Sequence, residues 1–320
     1  MWFTAHRAAK TRKRAKGRAG KELLTYPEHL TVLLDEYLAG LGYGEDASVS
    51  LLTEAMSYSL LAGGKRIRPV LLIATGQVFG ADPSRLLPTA AAIEMIHTYS
   101  LIHDDLPAFD DDDLRRGQPS CHVRYAENVA ILAGDALFAE ALRLISRKQE
   151  AEPAVLLEVI GEIATATGVK GMVGGQYLDV AGITGTEAEA ANGPEAESLS
   201  RLHFLKTGRL IMACVQCGGL LAGASAPQLK KLRRFSAEIG LLFQIKDDIL
   251  DVVGETAVLG KKAGTDERLM RRTCVSVYGL DQSERLARDA RDRAIAALED
   301  DEGNTEVLAG ITRYIYERHR

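Results

Sequence analysis

Six aspartates fall within ten residues, Asp104, Asp105 and Asp110 to Asp113, and two arginines, Arg115 and Arg116, follow at once. Carboxylates crowded this closely raise one another's pKa unless cations sit among them, so the run asks for metal ions. It is not a solvated acidic tail, because residues 91–102 just before it read as an apolar helix. A second set, Asp247, Asp248 and Asp251, joins Gln244 at the i, i+3, i+4, i+7 spacing of one helical face. Phe243, Ile245, Ile249, Leu250 and Val253 surround that face, which puts the acids on a core helix. Unpaired there, each carboxylate would cost roughly several kcal/mol.

A cluster of the opposite charge lies upstream, in Gly63-Gly64-Lys65-Arg66-Ile67-Arg68-Pro69. The glycine pair suits a helix C-terminus, and Pro69 suits the first turn of the next helix. Three cations are thus held in a tight turn beside the free N–H groups of a helix start, an arrangement fit for a diphosphate. On the triplet alone, a solvated basic turn explains it equally well. His97 stands two helical turns before Asp104 on a related face, where a core histidine is the plain alternative. Pro107 breaks the helix and lets the chain loop back, bringing Asp110 toward Asp104. A calcium loop starting at Asp110 is excluded, since Leu114 and Arg115 stand where it needs an oxygen ligand and a glycine. Lys206-Thr207-Gly208 adds a cation and a hydroxyl within a helical pattern, a weak signal that a snorkelling lysine would also satisfy.

The elements that must carry these residues are helical. Of the 320 residues 46% are hydrophobic and only 6% aromatic, with long Ala, Leu and Gly runs and little period-two alternation. No Pro/Ser-rich linker divides the chain, so an all-α fold in one domain is expected. Periodicity predicts helices over 26–39, 50–61, 70–78, 91–102, 123–145, 156–173 and 241–253, and a surface loop over 181–197. Residues 210–229 carry no formal charge, but Gln216, Gly218, Gly219, Gly223, Ser225 and Pro227 dilute their apolarity. They are read as a buried helix ending near Gly223, with no stable membrane insertion. Cys214 and Cys217 lie in this run with no second pair to complete a zinc site, so they are core residues of a reduced, cytoplasmic protein. Residues 1–21 hold eight Lys or Arg and no acid, although the whole chain carries −5. No apolar h-region follows these cations, which argues against a secretory signal; a transit peptide or a nucleic-acid-binding arm would also be basic, but the leader, 1–25, is read as a disordered extension or a start codon placed too early.

Taken together, the motifs resemble the trans-isoprenyl diphosphate (polyprenyl) synthases, and within them the bacterial-type farnesyl diphosphate synthases. The resemblance rests on Gly-Gly-Lys-Arg-Ile-Arg-Pro at 63–69, Asp-Asp-x4-Asp followed by Arg-Arg-Gly at 104–117, Gly-Gln-x-x-Asp at 175–179, Lys-Thr-Gly at 206–208 and Phe-Gln-Ile-Lys-Asp-Asp-Ile-Leu-Asp at 243–251. It covers residue 28 to the C-terminus and leaves out the leader, so 26–320 would be one polyprenyl synthase domain. What it implies is a bundle of about ten or more helices around a central cavity, usually as a homodimer. The reaction implied condenses isopentenyl diphosphate head to tail with a dimethylallyl or geranyl diphosphate, giving farnesyl diphosphate. Magnesium, about three ions per site with substrate bound, would be held by Asp104, Asp110 and Asp247, with Asp105, Asp248 and Asp251 as supporting acids. By the same resemblance Lys65, Arg68, His97 and Arg116 bind isopentenyl diphosphate. Arg115, Lys206, Thr207, Gln244 and Lys261 would grip the allylic diphosphate.

Tyr99 and Ser100 sit one helical turn before Asp104, and in similar enzymes an aromatic at the Tyr99 position stops the growing chain near fifteen carbons. Geranylgeranyl diphosphate is the rival product. A terpene cyclase would lack the 63–69 motif and would replace the second aspartate cluster with an Asn/Ser/Glu metal motif. A non-catalytic regulatory subunit would lose one cluster, and both are intact. Two departures stand out: Phe109 where Met is common, and Arg271-Arg272-Thr273-Cys274 in place of Lys-x-Thr-Tyr.

Overall fold

The computed structural model describes residues 26–44, 46–183, 195–253, 273–299 and 304–318. The basic leader, most of the expected 181–197 loop, Lys261 and Arg271-Arg272 lie outside these residues. The described chain is all-α apart from one two-residue hairpin, β1 (Leu114–Arg115) paired antiparallel with β2 (Gln118–Pro119). Its helices are α1 (Glu28–Ala39), α2 (Ser50–Leu60), α3 (Ile67–Val78), α4 (Pro83–Asp104), α5 (Cys121–Tyr125), α6 (Glu127–Lys148) and α7 (Pro153–Thr167). There follow α8 (Met172–Ile183), α9 (Glu195–His203), α10 (Arg209–Leu221), α11 (Ala226–Val253), α12 (Cys274–Tyr278), α13 (Leu280–Ala296) and α14 (Glu306–Glu317).

Two helices form the spine. Helix α4 packs along α6, and α10 packs against α3, α7 and α11. In α4 every residue from Leu86 to Ile96 is buried, so it is a core helix on all sides there rather than an amphipathic one. It is also longer than periodicity suggested, because Asp82 caps it through Ser84 N (2.8 Å) and Pro83 opens it. Pro88 lies inside the helix, in its second turn, where it cannot donate to Ser84 O. Helix α10 buries Leu210 through Gly219 and is closed by Gly223 at φ +75°, as its composition suggested. The run Leu199–Leu221 is long and apolar enough to cross a bilayer by length and composition, yet 67% of its most apolar window is buried within the bundle.

Several expected helices differ in extent. Residues 123–145 divide into α5 and α6, because Ala126 takes φ +73° between them. Residues 156–173 likewise divide, at 168–171, and the Gly174 to Asp179 motif lies inside α8 instead of trailing a helix. The glycines there answer a packing need: a Cβ on Gly175 would stand 2.3 Å from Lys206 N. At Lys206-Thr207-Gly208 the helix does change character, passing through a wider π turn over Phe204–Gly208 between α9 and α10.

Gly218 marks a close helix crossing in the spine. A Cβ there would lie 2.3 Å from Leu72 O, a backbone atom of α3 that no rotamer change can move. Gly218→Ala is therefore expected to push α10 from α3 and destabilise the protein by about 1–3 kcal/mol. Denaturant unfolding of the two proteins side by side measures this, and equal midpoints would mean that the crossing is loose.

Candidate active site

The first acid cluster begins where α4 ends. Asp105 caps the helix, and the chain then turns through Leu106–Phe109 so that Asp110 N donates to Asp104 O at 2.9 Å. Asp112 N closes the same loop on Asp105 O at 3.2 Å. The break at Pro107 thus brings Asp110 back to Asp104, as expected. Asp111 adopts a positive φ of 51°, the conformational cost of so tight a return, while Arg116, at 54°, sits with Gly117 in the two-residue turn of the β1–β2 hairpin.

Asp104 and Asp110 face a cavity of about 770 Å³. Asp247, Asp248 and Asp251 of α11 line it, with Gln244 one turn back. Lys65, Arg68, His97 and Arg116 line it too, as do Arg115, Lys206 and Thr207, and Tyr99 and Ser100 reach it from α4. The cavity thus gathers residues from five stretches of sequence that together span more than 180 residues. Of the expected site residues in the described chain, Asp105 alone does not line the cavity. It is 2% exposed and pairs with Arg115, whose Nε donates to its Oδ1 at 2.9 Å. Burial works to lower the Arg115 guanidinium, but that bond and the Asp105 charge outweigh it and hold the group above its ordinary value. Asp105 therefore anchors a cation behind the cavity.

The acids of α11 also divide by role. Asp248 is 2% exposed, accepts from Cys274 N at 2.6 Å and from Gln244 Nε2 at 2.8 Å, and stands 3.5 Å from His203 Nε2. Burial pushes His203 down to about 4. Gln244 accepts in turn from the Thr207 hydroxyl at 2.6 Å, so α12, α11 and the π turn are tied into one polar chain. Lys206 Nζ pairs with Asp179 at 2.6 Å, which joins the motif of α8 to that same turn. Asp247 is more open and meets Arg318 Nη2 at 2.6 Å.

The basic side is arranged with equal economy. Arg68 Nη1 stands 3.3 Å from His97 Nε2, and its guanidinium carbon lies 5.2 Å from the centre of the Phe243 ring. Its Nε is buried without a hydrogen-bond partner. Burial, followed by Arg68, Arg116, Arg115 and Arg66, drives His97 well below its usual value, so it is neutral. Arg66 does not reach the cavity at all.

Three lining residues escaped the sequence reading. Arg318, near the C-terminus, bonds both Asp247 and Phe243 O (3.1 Å) and stacks on the Phe243 ring at 4.2 Å. Its only signal was a basic terminus after a helix. Gln176 lines the cavity with both amide atoms buried and without hydrogen-bond partners, a buried polar group of the kind that a ligand completes. It lay in a motif named only for its pattern. His103 lines the cavity as well, seated where a Gly134 Cβ would lie 2.2 Å from its Nε2.

Hard carboxylate oxygens from two clusters lining one cavity suit magnesium, which takes one or two protein carboxylates and completes its shell with water and phosphate oxygens. Among the described residues no three acids, histidines or cysteines converge into a closed metal cage. The donor set therefore fits an ion shared with a bound diphosphate.

Comparison with known proteins agrees with this geometry. The family described as Polyprenyl synthetase matches residues 49–314. The farnesyl diphosphate synthase of Escherichia coli (strain K12) is 45% identical over 275 residues, 84% of this chain and 90% of that protein. A heterodimeric geranylgeranyl pyrophosphate synthase large subunit 1 of Arabidopsis thaliana is 42% identical over 82% of this chain and 71% of its own length. Among solved structures, a geranyltransferase from Helicobacter pylori complexed with magnesium and isoprenyl diphosphate superposes with a TM-score of 0.80 at 29% identity, covering 91% of this chain and 97% of that one. An FPP/GFPP synthase from Zymomonas mobilis gives 0.77 at 36% identity, covering 90% and 96%. With its helices closed around a cavity lined by two aspartate clusters and a basic turn, and with this much of its length matched, the chain belongs to the polyprenyl synthetase family.

Proposed function

We propose that the protein condenses isopentenyl diphosphate with an allylic diphosphate to give farnesyl diphosphate. One observation carries the reading: a single cavity holds two carboxylate clusters and, beside them, a separate group of cations. Two diphosphates would each have a place there. Lys65, Arg68, His97 and Arg116 would hold the isopentenyl diphosphate. Arg115, Lys206 and Thr207 lie by the acids and would hold the allylic one.

Magnesium, held by Asp104, Asp110 and Asp247 when bound, would neutralise the leaving diphosphate. The chain's own cations add to that effect, and they matter most as the allylic C–O bond stretches and charge gathers on the departing oxygen. The electron pair leaves with the diphosphate. The double bond of isopentenyl diphosphate then forms the new C–C bond, and a proton passes to the released diphosphate. His97, kept neutral, hydrogen-bonds without adding charge beside the carbocation. Leu101, Met172, Val173, Val180 and Leu250 line the same space and exclude the water that would quench that cation.

Product length should be set below the first cluster. Tyr99 meets Phe138 edge to face with ring centres 5.4 Å apart, and His103 in the same manner at 5.7 Å. Burial, with Asp104 and Asp135 nearby, raises the Tyr99 hydroxyl to about 12, so the floor is neutral as well as bulky. This favours a fifteen-carbon product over a longer one. A homodimer is the proposed assembly. Ile131 and Leu132 on α6 and Leu157 on the adjoining α7 are exposed apolar side chains that a second copy would cover.

Purified protein given magnesium, labelled isopentenyl diphosphate and geranyl diphosphate is expected to release farnesyl diphosphate, and a chelator should abolish turnover. No incorporation with any allylic primer would overturn the reading. Asp104→Asn should lower kcat by about 100-fold or more while leaving thermal stability near that of the parent. Tyr99→Ala should shift the main product from fifteen to twenty or more carbons in product sizing. An unchanged product would remove Tyr99 as the floor. Sedimentation should give twice the chain mass, and Leu132→Asp with Leu157→Asp should shift it toward the monomer.

A further inference from the structure

Arg66 lies between two residues that line the cavity, Lys65 and Arg68, yet its own guanidinium is wholly engaged elsewhere. Nε donates to Asp35 at 2.9 Å, Nη1 to Glu94 at 2.6 Å and Nη2 to Leu60 O at 2.9 Å. Glu94 itself is 1% exposed, set in the fully buried stretch of α4. The Oε1 that accepts from Arg66 also lies 3.9 Å from Arg116 Nη2, and its Oε2 has no hydrogen-bond partner. Arg116 is gripped on its other edge, where Nη1 donates to Gly63 O. Its guanidinium lies close against Gly64, where a Cβ would stand 2.8 Å from Cζ. One carboxylate thus joins the basic turn before α3 to the acid loop after α4.

A buried negative charge beside an anion site opposes the anion, so its presence needs a reason. It could serve as a counter-charge that lets Arg66, Arg68 and Arg116 pack together, or as a strut that aims them. The two differ in sign. A counter-charge, once removed, would let a diphosphate bind more tightly, whereas a lost strut would weaken binding. The contacts favour the strut, because Arg116 springs from a backbone at φ 54° and its guanidinium is bracketed by Gly63 O and Gly64 on one side and Glu94 on the other.

We propose that Glu94 is a positioning residue of the isopentenyl diphosphate site, holding Arg66 and, through the shared oxygen, presenting the Arg116 guanidinium to the second diphosphate. This rests on the proposed reaction only in naming that ligand. Burial lowers the Arg116 guanidinium; Glu94 opposes that shift, while Arg66, Arg115 and Arg68 add to it.

The test compares Glu94→Gln with the parent, keeping side-chain shape and removing the charge. KM for isopentenyl diphosphate should rise at least about tenfold, while kcat and the allylic KM stay within about twofold. In an Arg116→Gln background, adding Glu94→Gln should raise that KM no further, since coupled residues are not additive. An unchanged or lowered KM, an equal rise for both substrates, or full additivity with Arg116→Gln would overturn the proposal. Should Glu94→Gln fail to fold, Asp35→Asn releases Arg66 from its half-exposed edge and is read in the same way: a selective but smaller rise supports the strut, and no rise overturns it. Calorimetric binding of isopentenyl diphosphate reads the same change without turnover. An inactive parent chain would therefore overturn the proposed reaction and still leave the Glu94 comparison decisive.

Discussion

Charge buried in an apolar bundle must be met by opposite charge, and the way this chain meets it determines what each ionisable residue can do. Asp105 answers Arg115, Asp179 answers Lys206, Glu94 answers Arg66, and Arg318 answers Asp247. Each pair spares the helices the desolvation cost of a lone ion, and each leaves a neighbour facing the cavity. A residue that is held on every side, such as Arg66, supports the site from behind. One held on only some of its edges, such as Arg68 with its unpaired Nε, is ready for a ligand. The division between structure and chemistry is therefore a division of hydrogen-bonding edges.

The same logic explains why the site needs so many helix ends. Helix α4 ends at Asp104, α3 begins beside the basic turn, and the π turn widens the chain between α9 and α10. A continuous helix satisfies its own backbone and points its side chains outward, so it can offer one stripe at most. Where the helix breaks, backbone groups and side chains converge. The acid loop uses this most fully, since its return is stitched by Asp110 N to Asp104 O and by Asp112 N to Asp105 O.

Much of this was legible in the residues. The spacing of Gln244, Asp247, Asp248 and Asp251 placed all four on one wall, and Pro107 correctly announced the loop that pairs Asp110 with Asp104. Gly223 marked the end of α10 because a positive φ is what that position requires. The reading failed where a long-range packing need outweighed local pattern. Gly174 and Gly175 look like a helix stop, but the close approach of Lys206 explains Gly175 within α8. Ala126 carries no sign of its positive φ, so the break between α5 and α6 could not be foreseen. Arg318 is separated from Asp247 by 71 residues, and no periodicity links them.

Glu94 shows most clearly why a site cannot be read from its ligands alone. In the sequence it is one acid in an apolar helix, ten residues before Asp104 and without a spacing partner. Only in three dimensions does it meet Arg66 from the preceding turn and Arg116 from the following loop. Its carboxylate weakens the field that a diphosphate would feel, so attraction for the anion does not account for its place there. What it supplies instead is direction, because a guanidinium binds phosphate through a planar fork and loses most of its advantage when misaligned. An anion site built on arginines in an apolar interior therefore needs a buried acid behind them. The acid cluster that opens into the cavity and the single acid hidden beneath it are two halves of one electrostatic arrangement.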